Sequence, residues 1–196
     1  ERGRSFEVML DPRQTRTVNL PRVLMIGDFG RPSWAAGWIG VEHNGNPGDL
    51  LVQGRVEDRA VGYATVVEFA DPATGKGQSL HGAGLRLGWF EGRALLPVLV
   101  VANTAEEPSE LTVAVPWTDE EGETWRIELE PVLLDPGEVR NLSGELWEAV
   151  AAAPLHTLRS AGLEVAYTTA PGTVLAAAQS VSVDGRNVFR LPLVDP

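Results

Sequence analysis

The chain has 196 residues, of which 43% are hydrophobic, 27 are acidic and 16 are basic, so its net charge is −11. A domain typically holds about 100 to 150 residues, and this apolar content is enough for the cores of two small domains. The absence of cysteine excludes disulfides, thiolate nucleophiles and cysteine-ligated zinc. No apolar run approaches the roughly 20 residues that a membrane-spanning helix needs.

The negative charge is concentrated in the second half, where residues 97–196 contain 16 acidic but only 5 basic side chains. Phosphate groups repel a surface of this sign, so we expect neither a nucleic acid nor an anionic membrane as a partner. Protein and carbohydrate partners both stay open.

Strands dominate the pattern of the first half. Alternating apolar and polar residues, punctuated by Gly and Pro, predict strands over residues 6–10, 15–20, 38–43, 49–57 and 62–69. Residues 79–84 read Ser-Leu-His-Gly-Ala-Gly, and the glycines predict a loop. Residues 82–88 lack the spacing of a phosphate-binding loop.

The alternation is clearer in the second half. It predicts strands over residues 96–102, 111–117, 125–129, 138–142, 163–168, 173–183 and 187–193. Residues 118–124 are acidic and contain a glycine, which predicts the tip of a hairpin. Trp117 and Trp125 bracket this tip on one face, so we expect them to form a cross-strand pair in the core.

One short helix is predicted over residues 144–152. The side chain of Ser143 is its expected N-cap, and Pro154 ends it. Its apolar stripe consists of Leu146, Trp147 and Val150.

The chain matches itself at an offset of about 124 residues, and residues 8–72 repeat as residues 132–196 without a gap. Long-period similarity of this kind is typical of tandem modules. We therefore predict a first module over residues 1–94 and a second over residues 95–196. The aligned positions include Val8 with Val132, Asp11-Pro12 with Asp135-Pro136, Ile39 and Val41 with Leu163 and Val165, and Pro47-Gly48 with Pro171-Gly172.

The first copy of the repeat is the shorter one. Residues 95–130 precede the second copy and supply three predicted strands, whereas only seven residues precede the first. Either the chain begins inside a unit, or residues 73–94 complete the first module from its other end. Short strands with Gly and Pro every 8 to 12 residues or so favour antiparallel sandwiches over βαβ units.

Two segments carry a resemblance to a known class of module. Residues 96–115 contain an apolar strand, Asn103, a short polar link with Pro108 and an alternating strand, and residues 133–139 contain an apolar strand that runs into the turn Asp135-Pro136-Gly137-Glu138. Together they resemble the Ig-like or fibronectin-like β-sandwich modules of bacterial exported proteins. The resemblance implies an all-β fold of two tandem Ig-like antiparallel β-sandwiches with one short helix, and an extracellular or periplasmic location. It implies no catalytic residue.

The three histidines do not have the spacing of a zinc motif. His43 aligns with Tyr167 in the repeat, which favours a half-buried strand residue. His81 lies in the predicted glycine-rich loop, and loops often carry function. A metal-dependent enzyme would need both histidines together with Glu42 or Asp49. No Gly-x-Ser-x-Gly motif is present, so we expect neither catalysis nor a cofactor.

The tryptophans suggest a binding patch, because stacked indoles are what a sugar-binding face uses. Trp38 has the opposite parity to Ile39 and Val41, and is therefore expected to be exposed. The candidate ligand-binding set is Trp34, Trp38, Trp89 and His81.

Three hypotheses follow. The first is a non-enzymatic structural or interaction module of an exported or surface bacterial protein. The alternative is a carbohydrate-binding module that uses the exposed tryptophans, and the second alternative is a metal-dependent enzyme that uses His43 and His81. An incomplete copy leaves a strand edge uncovered, which invites pairing with another chain, so a homodimer also stays open.

Overall fold

The computed structural model describes residues 5–19, 39–46, 49–58, 63–69, 74–152, 160–185 and 187–195. The chain falls into two compact units, Glu1–Ala35 and Ala36–Pro196. In the first unit, the amide of Gln14 donates to the carbonyl of Asp11 at 3.0 Å and forms a turn. The strands predicted over residues 6–10 and 15–20 are not formed as regular strands in the described part of this unit.

The second unit contains twelve strands and one helix, α1 (Ser143–Ala151), within its described residues. The strands are β1 (Gln53–Asp58), β2 (Tyr63–Glu68), β3 (Ser79–Arg86), β4 (Gly88–Phe90), β5 (Arg93–Asn103), β6 (Ser109–Thr118), β7 (Thr124–Glu128), β8 (Val132–Leu134), β9 (Val139–Asn141), β10 (Ser160–Tyr167), β11 (Val174–Ser182) and β12 (Val188–Leu191). These strands pair antiparallel, which confirms the predicted all-β, antiparallel class with a short helix. Residues 39–43, predicted as part of a strand, do not form one.

Ten of the strands form two sheets with similar layouts. Sheet I has the order β3-β10-β6-β7, and β8 pairs with β6. Sheet II has the order β12-β11-β5-β4, and β9 pairs with β5. β1 and β2 form a separate two-stranded hairpin in which Gln53 lies opposite Glu68.

The two sheets share one hydrophobic core. Because successive side chains of a strand point to opposite faces, every second side chain of these strands lies in this core. Burial of each Leu or Val stabilises the fold by about 1.5 to 3 kcal/mol. Helix α1 adds Leu146 and Val150. The core therefore holds sheets I and II together as a β-sandwich. Its central members are Leu111, Val113 and Val115 of β6, Leu163 and Val165 of β10, and Leu99 and Val101 of β5.

The glycine-rich stretch that was predicted to be a loop is instead β3, an edge strand of sheet I. The prediction was wrong because Gly82 is required by packing and not by a turn. A Cβ on Gly82 would lie 2.8 Å from Cδ2 of Leu193 and from the carbonyl oxygen of Pro192. β4 pairs with the first residues of β5, so the predicted boundary between residues 94 and 95 falls within β5 of this hairpin.

Helix α1 agrees with the helix predicted over residues 144–152, but its N-terminus differs from the prediction. Leu142 occupies the N-cap position, and no side chain caps the helix. The hydroxyl of Ser143 instead accepts from the amide of Leu99 at 3.1 Å and donates to Oδ1 of Asn141 at 2.5 Å. Ser143 therefore fastens the helix to β5 and β9. Trp147, expected in the apolar stripe, is 37% exposed, whereas Leu146 and Val150 are fully buried.

Candidate interaction face around His81

His81 lies in the middle of β3 and points away from the core of the sandwich. It is opposite Glu164 of β10. Glu164 alternates with Leu163 and Val165, which are fully buried. Because side chains alternate between the two faces of a sheet, His81 and Glu164 both lie on the outer face of sheet I.

The other predicted ligand-binding residues do not lie beside His81 on sheet I, or they fall outside the described residues. Trp34 and Trp38 fall outside the described residues. Trp89 belongs to β4, at the edge of sheet II, whereas His81 belongs to sheet I. A carbohydrate site that joins the three tryptophans therefore stays a prediction.

The residues proposed for a metal site are also dispersed. His43 is exposed in the segment 39–46, whereas His81 lies in sheet I. Among the described residues, no group of three His, Asp or Glu side chains could hold a metal ion.

The His81 ring is held between a hydroxyl and a carboxylate. Its Nε2 lies 3.0 Å from Oγ of Ser79, and its Nδ1 lies 3.9 Å from Oε1 of Glu164. The backbone of His81 pairs with that of Val194. The amide of His81 donates to the carbonyl of Val194 at 2.7 Å, and the carbonyl of His81 accepts from the amide of Val194 at 2.9 Å. The segment around Val194 thus covers the outer edge of β3.

Arg126 of β7 extends this polar row across the sheet. Its Nη1 donates to Oε2 of Glu164 at 2.5 Å, and its Nε donates to Oε1 of Glu128 at 2.8 Å. The hydrogen bond that Arg126 donates to Glu128, followed by the one to Glu164, raises the pKa of Arg126 above its ordinary value. Ala114 of β6 is paired with both Glu164 and Glu128, and it is buried between these side chains.

A shallow depression of about 320 Å³ lies beside this row. Small residues form it. Gly162 of β10 faces the Pro116 ring of β6, and a Cβ added to Gly162 would lie only 3.0 Å from Cγ of Pro116. None of the described residues that line it is titratable. They are Ala83, Gly84, Pro116, Trp117, Thr118, Thr124, Ser160, Ala161 and Gly162.

The predicted cross-strand pair of Trp117 and Trp125 is confirmed, but only one partner belongs to the core. The two rings are stacked with their centroids 6.1 Å apart and an interplanar angle of 13°. Trp117 is buried, and its Nε1 has no hydrogen-bond partner among the described residues. Trp125 is 44% exposed and donates from Nε1 to Oδ2 of Asp119 at 2.7 Å.

Asp119 organises the tip of this hairpin. Its Oδ1 accepts from the amides of Glu121 and Glu123 at 3.1 and 2.8 Å. The hydrogen bond from Trp125 is the largest cause of a lowered pKa at Asp119, and the backbone amides of the tip lower it further. All the hydrogen bonds given above for the Asp119 carboxylate therefore lie within this hairpin.

Sequence reasoning missed the residues that join His81 on the outer face, namely Glu164, Arg126 and Glu128. Their alternation with apolar residues in the predicted strands 125–129 and 163–168 indicates that they point outward. It does not indicate which of them meet, because that depends on the order and register of β3, β10, β6 and β7.

No helix in the described part of the chain is long and apolar enough to cross a membrane. No known family model matches the chain, and a search of curated proteins finds no match. The solved structure "Crystal Structure of Thermotoga maritima 1070" is similar over 60% of this chain and 90% of that one, with 13% sequence identity and a TM-score of 0.38.

Proposed function

We propose that the chain is a non-catalytic structural or interaction module and that the outer face of sheet I is its contact surface. The observation that carries the proposal is the row of His81, Glu164, Arg126 and Glu128, whose side chains interact with one another on an open sheet face. Catalytic and small-molecule sites are typically concave and enclose their ligand. The neighbouring depression is shallow, and its described lining offers no acid, base or nucleophile activated by a base.

The groups with shifted pKa values support a structural role. The pKa values of Asp119, Glu138 and Asp195 are lowered, and that of Arg126 is raised, in each case by hydrogen bonds that stabilise the charged form. A general acid or base works best with a pKa near the operating pH, and these shifts move each group away from neutrality. Such groups serve turns and cross-strand contacts better than proton transfer.

We also propose that the sandwich is one copy of a tandem repeat. Two hairpins support this, because their registers coincide at an offset of 124 residues: Gly54 pairs with Val67 in β1 and β2, and Ala178 pairs with Leu191 in β11 and β12. Each of the other residue pairs in the β11–β12 ladder also corresponds to a pair in the β1–β2 ladder that lies 124 residues earlier.

A turn supports the repeat independently. The amide of Gln14 donates to the carbonyl of Asp11, and the amide of Glu138 donates to the carbonyl of Asp135, both at 3.0 Å. In each turn the side chain of the fourth residue accepts from the amide of the first, at 3.0 and 2.8 Å. Arg13 and Gly137 both have positive φ, of 65° and 72°.

The setting that we propose is an exported or cell-surface protein with Ig-like modules. It is supported by the resemblance of residues 96–115 and 133–139 to such modules. Function is not implied by this class of sandwich, since sandwiches carry many unrelated sites.

The test is an assay of the purified chain against panels of ester and glycoside substrates, with His81→Ala prepared in parallel. We expect no turnover above the buffer rate from either protein. Turnover that accompanies the chain through purification and is lost in His81→Ala would contradict the proposal and identify His81 as a catalytic residue.

A further inference from the structure

Sheet II is apolar on its outer face as well as on the face that lies in the core. Its central strands β5 and β11 pair over residues 95–103 and 174–182. Leu99 and Val101 of β5 belong to the core, and successive side chains of a strand point to opposite faces, so the residues between them point outward. Seven of the eight outward residues in this ladder are apolar, and Gln179 is the eighth. The apolar ones are Leu96, Val98, Val100 and Ala102 of β5 and Leu175, Ala177 and Val181 of β11.

These outward side chains are separate from the core. In the described part of the chain, none of the seven apolar residues is among the side chains that form the core or pack against it. Ala177 is exposed, Ala102 is buried, and the other five are half-buried. The outer face of sheet I is different, because it carries the charged row of Glu164, Arg126 and Glu128. We call the eight outward positions of β5 and β11 the sheet II face.

The sequence of β5 is typical of a strand that is covered on both faces. Residues 95–102 read Leu-Leu-Pro-Val-Leu-Val-Val-Ala, without a polar residue. A strand with one solvated face alternates between apolar and polar residues, as Leu163, Glu164 and Val165 do in β10 of sheet I. The uninterrupted apolar run therefore indicates that sheet II packs against a further layer.

The size and chemistry of the sheet II face match a second copy of itself. From the usual rise and spacing of strands, the ladder is about 30 Å long, and the strands of sheet II make it up to about 19 Å wide. Because the edge strands are short, one copy offers about 500 Å², and two copies together bury about 1,000 Å², the lower limit for a specific interface. None of the eight outward positions is charged, so two copies meet without burying a charge, although each chain carries a net charge of −11. Such a face is complementary to itself, as a twofold interface requires.

We propose that two copies of this chain pack together through their sheet II faces and form a twofold dimer. Apolar side chains of the two facing sheets interdigitate in such a contact, as they do between the layers of a sandwich. The outer face of sheet I then lies on the far side of each copy, so the dimer presents two contact surfaces in opposite directions. This dimer goes beyond the proposed function and does not depend on it.

Sedimentation equilibrium of the purified chain tests the dimer. At about 100 µM we expect the mass of two chains, and on dilution the mass of one. Ala177→Arg places a charge at an exposed position within the face, so the dissociation constant should rise by at least about 100-fold. Gln179→Glu keeps the shape of the side chain and adds a charge, and it should raise the constant by at least about tenfold. This second variant keeps the test decisive if Ala177→Arg does not fold.

The matched control is Ala166→Arg, which changes an exposed alanine of β10 on the outer face of sheet I. It introduces the same side chain away from the sheet II face, so the dissociation constant should stay within about twofold of the wild-type value. Far-UV circular dichroism and the urea midpoint should be the same for both arginine variants as for a wild-type monomer, because both alanines are exposed.

Three outcomes overturn the proposal. The first is a wild-type chain that stays monomeric at the highest concentration. The second is a dimer that Ala177→Arg and Gln179→Glu leave unchanged, or that Ala166→Arg weakens equally. The third is a monomeric chain that Ala177→Arg destabilises, which would mean that the chain's own residues cover the sheet II face. The turnover assay is independent of this measurement, so failure of the proposed function is recognised separately.

Discussion

Both carboxylate oxygens of Asp195 share the amide of Gly77, which lies 118 residues earlier in the chain, as acceptors at 3.0 and 2.9 Å. The amide of Lys76 donates to the same carboxylate. These contacts, that of Gly77 first, hold the pKa of Asp195 below its ordinary value of 3.8. A Cβ on Gly77 would lie 2.7 Å from Oδ1, so this approach requires glycine. The bonds fasten the end of the sandwich to the residues that lead into β3.

Replacing Asp195 with Ala should therefore lower stability in a pH-dependent way. A carboxyl group whose pKa is depressed by folding contributes its full stability above its unfolded pKa, and loses it as the pH falls through the folded value. We expect wild type and Asp195→Ala to differ in unfolding free energy at neutral pH and to converge in acid, once the pH falls below the lowered pKa of Asp195. Urea denaturation over this pH range measures the difference, and a gap that persists in acid would contradict the assignment.

Asn103 is fully buried at the end of β5 and fastens two turns to the sandwich. Its Nδ2 donates to the carbonyls of Glu107 and Leu134 at 2.8 and 3.2 Å, and its Oδ1 accepts from the amide of Ala105 at 3.0 Å. Asn103→Leu removes these bonds and leaves buried polar groups unpaired, so we expect a loss of about 2 to 4 kcal/mol in unfolding free energy.

Equilibrium denaturation in urea measures this loss. The matched control is Asn141→Ala, because the Asn141 side chain is exposed and accepts hydrogen bonds only locally, from Ser143. It should cost less than about 1 kcal/mol. Equal effects of the two substitutions would show that burial does not set the contribution of Asn103.

The fold could be predicted best where alternation is strong and the partner strand is close in sequence. The β6–β7 hairpin has both properties, and its predicted pairing of Trp117 with Trp125 is present. β3 was missed, because Gly82 and Gly84 break the alternation, and the packing that requires Gly82 comes from Leu193, far along the chain. The opposite error occurred at residues 6–10, where the pattern of a strand is present but no described partner forms a ladder with it.

The candidate site could be predicted only in part. His81 was expected in a loop but lies in strand β3, and its role in ligand binding stays a prediction. Its meeting with Glu164 depends on the register of β3 and β10, which shifts at a bulge between Ala161 and Gly162. A one-residue change in register reverses the face of every side chain, so local sequence does not determine such a contact.

The stacked indoles at the β6–β7 hairpin allow a direct test of the pKa shift at Asp119. Trp125→Phe keeps an aromatic ring on Trp117 but removes the donor at Nε1, the largest cause of the lowered pKa. We expect the pKa of Asp119 to rise towards its ordinary value, as measured by NMR titration of the side-chain carboxyl carbon. Trp147→Phe, in helix α1, should leave this titration unchanged. The same pKa in Trp125→Phe and wild type would exclude the indole as the cause.

Two positions aligned by the proposed repeat, Ile39 and Leu163, test whether burial or the apolar pattern determines a residue's contribution to stability. Leu163 is fully buried in β10, so Leu163→Ala should lower the unfolding free energy by about 2 to 5 kcal/mol. Its counterpart Ile39 is 47% exposed, and Ile39→Ala should change the same quantity by no more than about 0.5 kcal/mol. The two substitutions remove a similar apolar volume, so each serves as the control for the other in one denaturation experiment. A large loss in Ile39→Ala would mean that the apolar pattern, and not the exposure of Ile39, determines its contribution to stability.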